Sequence, residues 1–179
     1  VVELSISINN QFDISKIAAL SVIDCLFAFG LKSMIKWPND ILVDNKKIAG
    51  ILIQNITSKN IISHSVIGFG ININQLVFDT FIPQATSLNL EMNSDFVLED
   101  IQNMLLICLQ NRIEDYHLRK NSDSDYFNAL FRKDEVSSFI SKSKQFNGFI
   151  RGVSDKGLLL VETDVGVKKI NFNEIKMVF

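Results

Sequence analysis

The chain has 179 residues, 47% hydrophobic and 21% charged, a globular composition long enough to bury a real core in one ordinary domain with a small appendage. A formal net charge of −2 excludes a global basic field of the kind that binds nucleic acid through its phosphates. No apolar run approaches the roughly 18 residues of a membrane span, and no signal-peptide pattern is visible.

The chain opens at Val1 without an initiator Met and runs straight into a strand pattern, so upstream residues are expected in the natural protein. Residues 2–8 alternate with period two, Val2, Leu4, Ile6 and Ile8 sharing one face of a half-buried strand. Asp13 or Ser15 is placed to cap a helix from about Lys16 to Phe29, apolar on most sides and ended by Gly30. Two β-rich runs, Ile41–Val43 and Lys47–Gln54, flank the turn residues Asp44-Asn45-Lys46 and read as a hairpin. After the polar break Thr57-Ser58-Lys59-Asn60, a further strand is predicted from Ser65 to about Ile73. Asn93 or Ser94 then opens a long amphipathic helix through about Tyr116, and a shorter helix holds Tyr126, Phe127, Leu130 and Phe131.

Ser137–Lys144 is rich in Ser and Lys and reads as a linker. Beyond it come short strands, Phe149–Val153, Leu158–Val161 and Val167–Phe172, separated by Asp155-Lys156-Gly157 and Asp164-Val165-Gly166. That pattern predicts a small β-barrel. Strands and helices intersperse without a strict βαβ repeat, so the class is α+β.

Cys25 and Cys108 lie in apolar stretches with no CxxC or Cys/His ligand spacing, and read as buried free thiols of a reducing cytoplasm. His64 and His117 have no partner pattern for a metal or a nucleophile, and no metal site is expected.

Chemistry concentrates in three segments. In Lys36-Trp37-Pro38-Asn39-Asp40, proline fixes its own φ and holds the single tryptophan, while Asn39 and Asp40 offer an amide and a carboxylate just before a strand. Taken alone, Pro-Asn-Asp is also common turn chemistry. Strict alternation along Lys47-Ile48-Ala49-Gly50-Ile51-Leu52 puts Lys47 on the face of Ala49, Ile51 and Ile53, partly desolvated and available to an anion. A strand-end lysine that merely reaches for water fits the same residues. In Ile67-Gly68-Phe69-Gly70-Ile71-Asn72-Ile73-Asn74, the apolar residues share one face. Gly68, Gly70, Asn72 and Asn74 share the other, bare backbone on which a flat ligand could lie. It is neither a dinucleotide fingerprint nor a P-loop, and the same glycines would also suit a bulge or a close helix.

In this order and spacing the three segments resemble the catalytic domain of biotin protein ligases. Ala85-Thr86-Ser87-Leu88 is similar to that family's Thr-Ser-Leu segment, and Gly148–Gly157 to its C-terminal barrel. The resemblance implies an α+β fold: a mixed sheet with flanking helices, of the class II aminoacyl-tRNA synthetase and biotin ligase kind, over residues 1–142. A small Src-homology-3-like barrel would occupy 143–179. It also implies ATP, Mg2+ and biotin as the small molecules, a biotin carboxyl carrier protein domain as acceptor, a cytoplasmic location, and no membrane or nucleic-acid partner for this segment. A homodimer is left open.

Lys47 resembles the lysine that meets biotin's carboxylate and the reacting phosphate. Lys36, Trp37, Asn39 and Asp40 match the loop at the nucleotide. Gly50, Gly68, Gly70 and Asn72 would line the biotin–adenylate cleft, and Arg151 matches a barrel arginine facing the catalytic domain. Gln54 departs from a position where the family commonly has glutamate. The family's Gly/Arg-rich adenylate loop and the residues that hold biotin's ureido ring are expected upstream of Val1. A lipoate or octanoyl ligase, or a fragment that binds without turnover, is the alternative reading.

Overall fold

The computed structural model describes residues 6–79, 85–118, 120 and 122–178. The expected strand over 2–8 falls partly outside them; its described part is β1, Ile6–Ser7, followed by a single 3-10 turn at Ile8–Asn10.

Helix α1 spans Phe12–Ala28, beginning four residues earlier than the sequence suggests. Phe12 is drawn into the core and packs edge-on against Tyr126, with ring centroids 5.5 Å apart. Asp13 therefore lies inside the first turn and pairs with Lys16 at 2.9 Å, instead of capping the helix. Buried residues surround most of α1, as its composition predicts. Gly30 adopts φ +86°, which ends the helix without strain, and Leu31 N–H returns to the Leu26 carbonyl.

Four strands follow: β2 (Met34–Lys36), β3 (Asp40–Val43), β4 (Lys46–Ser58) and β5 (Ile61–Ile71). With β1 they form one sheet in the order β1-β5-β4-β3-β2, every neighbouring pair antiparallel. Isolated parallel bridges join Ile35 to Leu130 and Lys47 to Ala85. Asp44, at φ +52°, makes the expected β3–β4 turn. Half of the polar break at 57–60 is strand: β4 runs through Thr57 and Ser58 to the tight turn Lys59-Asn60, both at positive φ, and β5 follows at once.

Ser87 accepts from Leu90 N–H and starts a short helix, α2 (Leu88–Met92), which Asn93 closes in a left-handed conformation. Asn93 therefore ends one helix rather than opening the next, and α3 begins later, over Leu98–His117. Helix α3 packs on α1, where Arg112 holds Asp24 through two hydrogen bonds of 2.6 and 2.9 Å. Helix α4 covers Ser122–Asn128 and holds Tyr126 and Phe127 as expected, but ends before Leu130 and Phe131.

The Ser/Lys-rich stretch read as a linker is instead structured. Its residues form β6 (Val136–Ser141), a turn at Lys142-Ser143, and the start of β7 (Lys144–Val153). With β8 (Leu159–Thr163), β9 (Gly166–Ile170) and β10 (Lys176–Val178) they make a second antiparallel sheet, ordered β10-β6-β7-β8-β9. A polar stretch can be a strand when alternate residues find a core: Phe139 and Ser137 are buried while their neighbours face out. This curled sheet encloses Phe139, Ile150, Leu159 and Val161 and gives the small barrel expected at the C-terminus. The fold is α+β, with both sheets contributing to one continuous hydrophobic core.

Candidate active site

The pairing of the first sheet lays out the site. Lys36 stands opposite Asp40, Asp40 opposite Gly50, and Gly50 opposite Gly70, so one cross-strand row crosses β2, β3, β4 and β5. Directly opposed residues project to the same face. On the next row of that face, Leu52 stands opposite Gly68. The three glycines leave a floor of bare backbone, and Leu52 rises beside it, 65% exposed. Behind the floor, Ile67, Phe69 and Ile71 pack against the core, so the alternation read along β5 holds.

Lys47 does not lie where strict alternation puts it. Ile41 pairs with Ala49 and Leu42 with Lys47, leaving Ile48 as an extra residue in β4. A one-residue bulge reverses the side-chain parity of everything before it. Lys47 is thereby moved off the Ala49–Ile51 face and onto the face of Gly50. A Cβ placed on Gly50 would lie 3.1 Å from Lys47 Nζ and 3.6 Å from Asp40 Oδ1. The ammonium pairs with Asp40 Oδ1 at 2.5 Å, while Lys36 Nζ lies 3.6 Å from Asp40 Oδ2. One carboxylate thus sits between two cations, and the Lys47 side chain stays 45% exposed.

Asn39, Lys47, Gly50, Leu52, Gly68 and Gly70 converge on a cavity of about 420 Å3. Asn39 is held there by a two-point clamp on β4: its side-chain amide donates to the Ile51 carbonyl, and its own carbonyl accepts from Ile51 N–H. Asn72 lies one step past the floor, and its amide donates to the Thr86 carbonyl at 3.0 Å. Thr86 N–H in turn donates to the Lys47 carbonyl, so the Thr86-Ser87 segment is laced to the bulged strand. Thr86 is buried, and its hydroxyl bonds Glu91, which also receives Lys46 at 2.6 Å. Burial alone would raise the Glu91 carboxyl, but the hydrogen bonds from Lys46 and Thr86 outweigh it and hold the group below its ordinary value.

Trp37 is only 7% exposed and does not line the first cavity. Its indole N–H donates to the Gly157 carbonyl at 3.0 Å, joining the first sheet to the Asp155–Gly157 turn of the barrel. A second cavity of about 420 Å3 opens at this junction. It shares Asn39, Ile51 and Leu52 with the first and adds Phe12, Trp37, Lys156 and Phe172. Leu52 could have been found from sequence, because it alternates with Gly50. Lys156 and Phe172 could not, since more than a hundred residues separate them from the strands they face.

Arg151 is not brought to either cavity. It projects from β7 and forks between Asp134 at 2.7 Å and Glu162 at 2.5 Å. Among the described residues, no group of three or more His, Cys, Asp or Glu side chains is arranged to hold a metal ion, and no helix is long and apolar enough to cross a membrane.

Residues 30–72 match the Biotin/lipoate A/B protein ligase family, and residues 139–178 match the Biotin protein ligase C terminal domain. The first segment contains Asn39, Lys47, Gly50, Leu52, Gly68 and Gly70, which line the first cavity. The chain is 30% identical over 168 residues to the bifunctional ligase/repressor BirA of Bacillus spizizenii, covering 90% of this chain and 51% of that protein. It is 26% identical over 155 residues to BirA of Escherichia coli, covering 82% and 46%. The chain therefore spans about half the length of the curated relatives it matches. Among solved structures, the apo biotin protein ligase of Aquifex aeolicus superposes with a TM-score of 0.77 at 24% identity, covering 94% of this chain and 76% of that one. The same ligase in complex with biotin and ATP gives 0.77 at 24%, covering 94% and 72%. A biotin protein ligase-like protein of unknown function from Silicibacter gives 0.75 at 11%, covering 94% and 75%. At these identities the superpositions establish the shared fold.

Proposed function

We propose that this chain belongs to the biotin protein ligase family, whose models it matches over residues 30–72 and 139–178, and forms the part of a biotin ligase that carries the reacting phosphate. The substrates are biotin and MgATP, the intermediate is biotinyl-5'-AMP, and the acceptor is one lysine of a biotin carboxyl carrier protein domain. A carboxylate oxygen of biotin attacks the α-phosphorus of ATP, the bond to the β-phosphate oxygen breaks, and pyrophosphate leaves. The carrier amine then attacks the biotinyl carbonyl carbon and AMP leaves.

The observation that carries this reading is the cross-strand row itself: a glycine floor with Lys47 and Lys36 gathered at one end around Asp40. A flat ligand can lie against bare backbone, and negative charge that develops at phosphorus meets a fixed ammonium. Catalysis of this kind is positioning and electrostatics, with no covalent chemistry required of the protein. Lys47 is the catalytic residue of the proposal, exchanging its pairing with Asp40 for the carboxylate and α-phosphate of the substrates. Lys36, Asn39 and Asp40 position phosphate and ribose, Gly50, Gly68 and Gly70 form the floor, and Asn72 sets the neighbouring Thr86 backbone. Trp37 and Arg151 act further out: Trp37 seats the barrel turn on the cleft, and Arg151 ties β7 to the segment entering the barrel.

The test is biotin-dependent exchange of labelled pyrophosphate into ATP by the chain in its natural full-length context. Exchange should appear with biotin, and Lys47→Ala should lower it by about 10²-fold or more. An unchanged rate in that variant would remove Lys47 from the chemistry. A second reading, lipoate or octanoate as the acyl substrate, has one observation in its favour, because the model matching residues 30–72 covers lipoate ligases as well. Exchange driven by lipoate or octanoate, with none driven by biotin, would establish it instead.

A further inference from the structure

The barrel carries a further concave surface, which shares no lining residue with either cavity of the cleft. The Lys142-Ser143 turn and the start of β7 form one wall of a groove of about 780 Å3; β9 and the segment leading to β10 form the other. Phe146, Ile170 and Ile175 make an apolar floor, and Lys142, Lys144, Lys168 and Lys169 stand around it with Glu174 as the one acidic residue. None of these four lysines enters an ion pair among the described residues. Four other lysines contrast with them: Lys16, Lys46, Lys47 and Lys133 each hold a carboxylate within 2.9 Å. Four unneutralised cations around one groove repel one another, and an acidic occupant would relieve that repulsion.

We propose that this groove docks an acidic polypeptide segment of a partner protein, its carboxylates meeting the four lysines and its apolar side chains resting on Phe146, Ile170 and Ile175. The apolar floor selects a polypeptide over a free phosphate, which would gain nothing from it. Nucleic acid is disfavoured by the state of the one aromatic ring in the groove. Phe146 is stacked on Phe139 with centroids 5.4 Å apart, and Lys168 Nζ lies 5.2 Å over its ring, so a base finds no free face to stack on. The open edge of β9 at this groove admits an extended segment. The proposal is independent of the ligase reading, since no residue of the cleft lines the groove.

The test is fluorescence anisotropy with three labelled probes: a dodecapeptide of alternating Glu and Leu, its Gln-for-Glu analogue, and a twelve-residue oligothymidylate. The Glu peptide should bind saturably and weaken about tenfold or more in Lys168→Glu/Lys169→Glu and again in Lys142→Glu/Lys144→Glu, with a similar loss for the Gln analogue. All four lysines project from strand edges or a turn, so unchanged circular dichroism is expected in both variants. Tighter binding of oligothymidylate than of the Glu peptide would overturn the proposal in favour of a nucleic-acid surface. Absence of saturable peptide binding, or binding indifferent to both variants, would overturn it in favour of lysines that only keep an exposed sheet edge from pairing.

Discussion

Gly50→Ala tests whether the bulge at Ile48 places Lys47 as the structure has it. The added methyl would lie 3.1 Å from Lys47 Nζ and 3.2 Å from Cε, inside the 3.4 Å at which ordinary contact begins. What it meets is the end of a flexible side chain, so the fold should lose less than about 1 kcal/mol while the ammonium gives way by a few tenths of an ångström. A preorganised charge stabiliser is worth about 3–4 kcal/mol when removed outright. A displaced one keeps part of that, and the expected loss in biotin-dependent pyrophosphate exchange is about tenfold, or about 1.4 kcal/mol. Thermal unfolding of the same variant should move by only a degree or two. The decisive comparison is the double variant Lys47→Ala/Gly50→Ala. If Gly50 matters only because it faces Lys47, the double variant should be no slower than Lys47→Ala alone. Independent, multiplicative losses, or an unchanged rate in Gly50→Ala, would refute the placement of the ammonium against the glycine floor.

Trp37→Phe keeps the ring but removes the indole N–H from the Gly157 carbonyl, and should cost about 1 kcal/mol, read as a lower denaturant midpoint at unchanged slope. In Gly148→Ala the new Cβ would lie 2.5 Å from Val161 Cγ1 and 2.7 Å from the Glu162 carbonyl oxygen, which is backbone and cannot step aside. The barrel should be destabilised by about 1–3 kcal/mol, measured by calorimetry. Glu91 titrates below its ordinary 4.5 in the folded chain because the bonds from Lys46 and Thr86 overcome its burial. The stability it contributes is therefore present above pH 4.5 and is lost as pH falls through the lower folded value. Glu91→Gln should be less stable than the natural chain at pH 7, and the gap in melting temperature should close on acidification below that window.

Much of this protein is legible in its sequence because its information is local. Period-two alternation through Ile67–Ile73 separates an apolar face from the Gly68/Gly70 face, and the sheet keeps that separation. Gly30 ends α1 and Asp44 turns the β3–β4 hairpin for reasons of backbone sterics that neighbouring residues cannot change. The order and spacing of Lys36–Asp40, Lys47–Leu52 and Ile67–Asn74 already point to the family, since each run is itself a strand or the loop before one.

Other features were decided only when strands and helices met. The face of Lys47 depends on a residue of β4 left unpaired by β3, and alternation along β4 alone carries no sign of that mismatch. The Ser/Lys-rich stretch becomes β6 because Phe139 and Ser137 find an interior supplied by β7, β8 and β10, which follow it in the chain. Arg151 turns to Asp134 and Glu162 rather than to the cleft because the pairing of β7 with β8 sets its outlook. Period and turn chemistry act over a few residues and so can be read from them. Register and docking are settled by hydrogen-bond and packing partners up to 120 residues away, as between Trp37 and Gly157, and exist only in the folded chain.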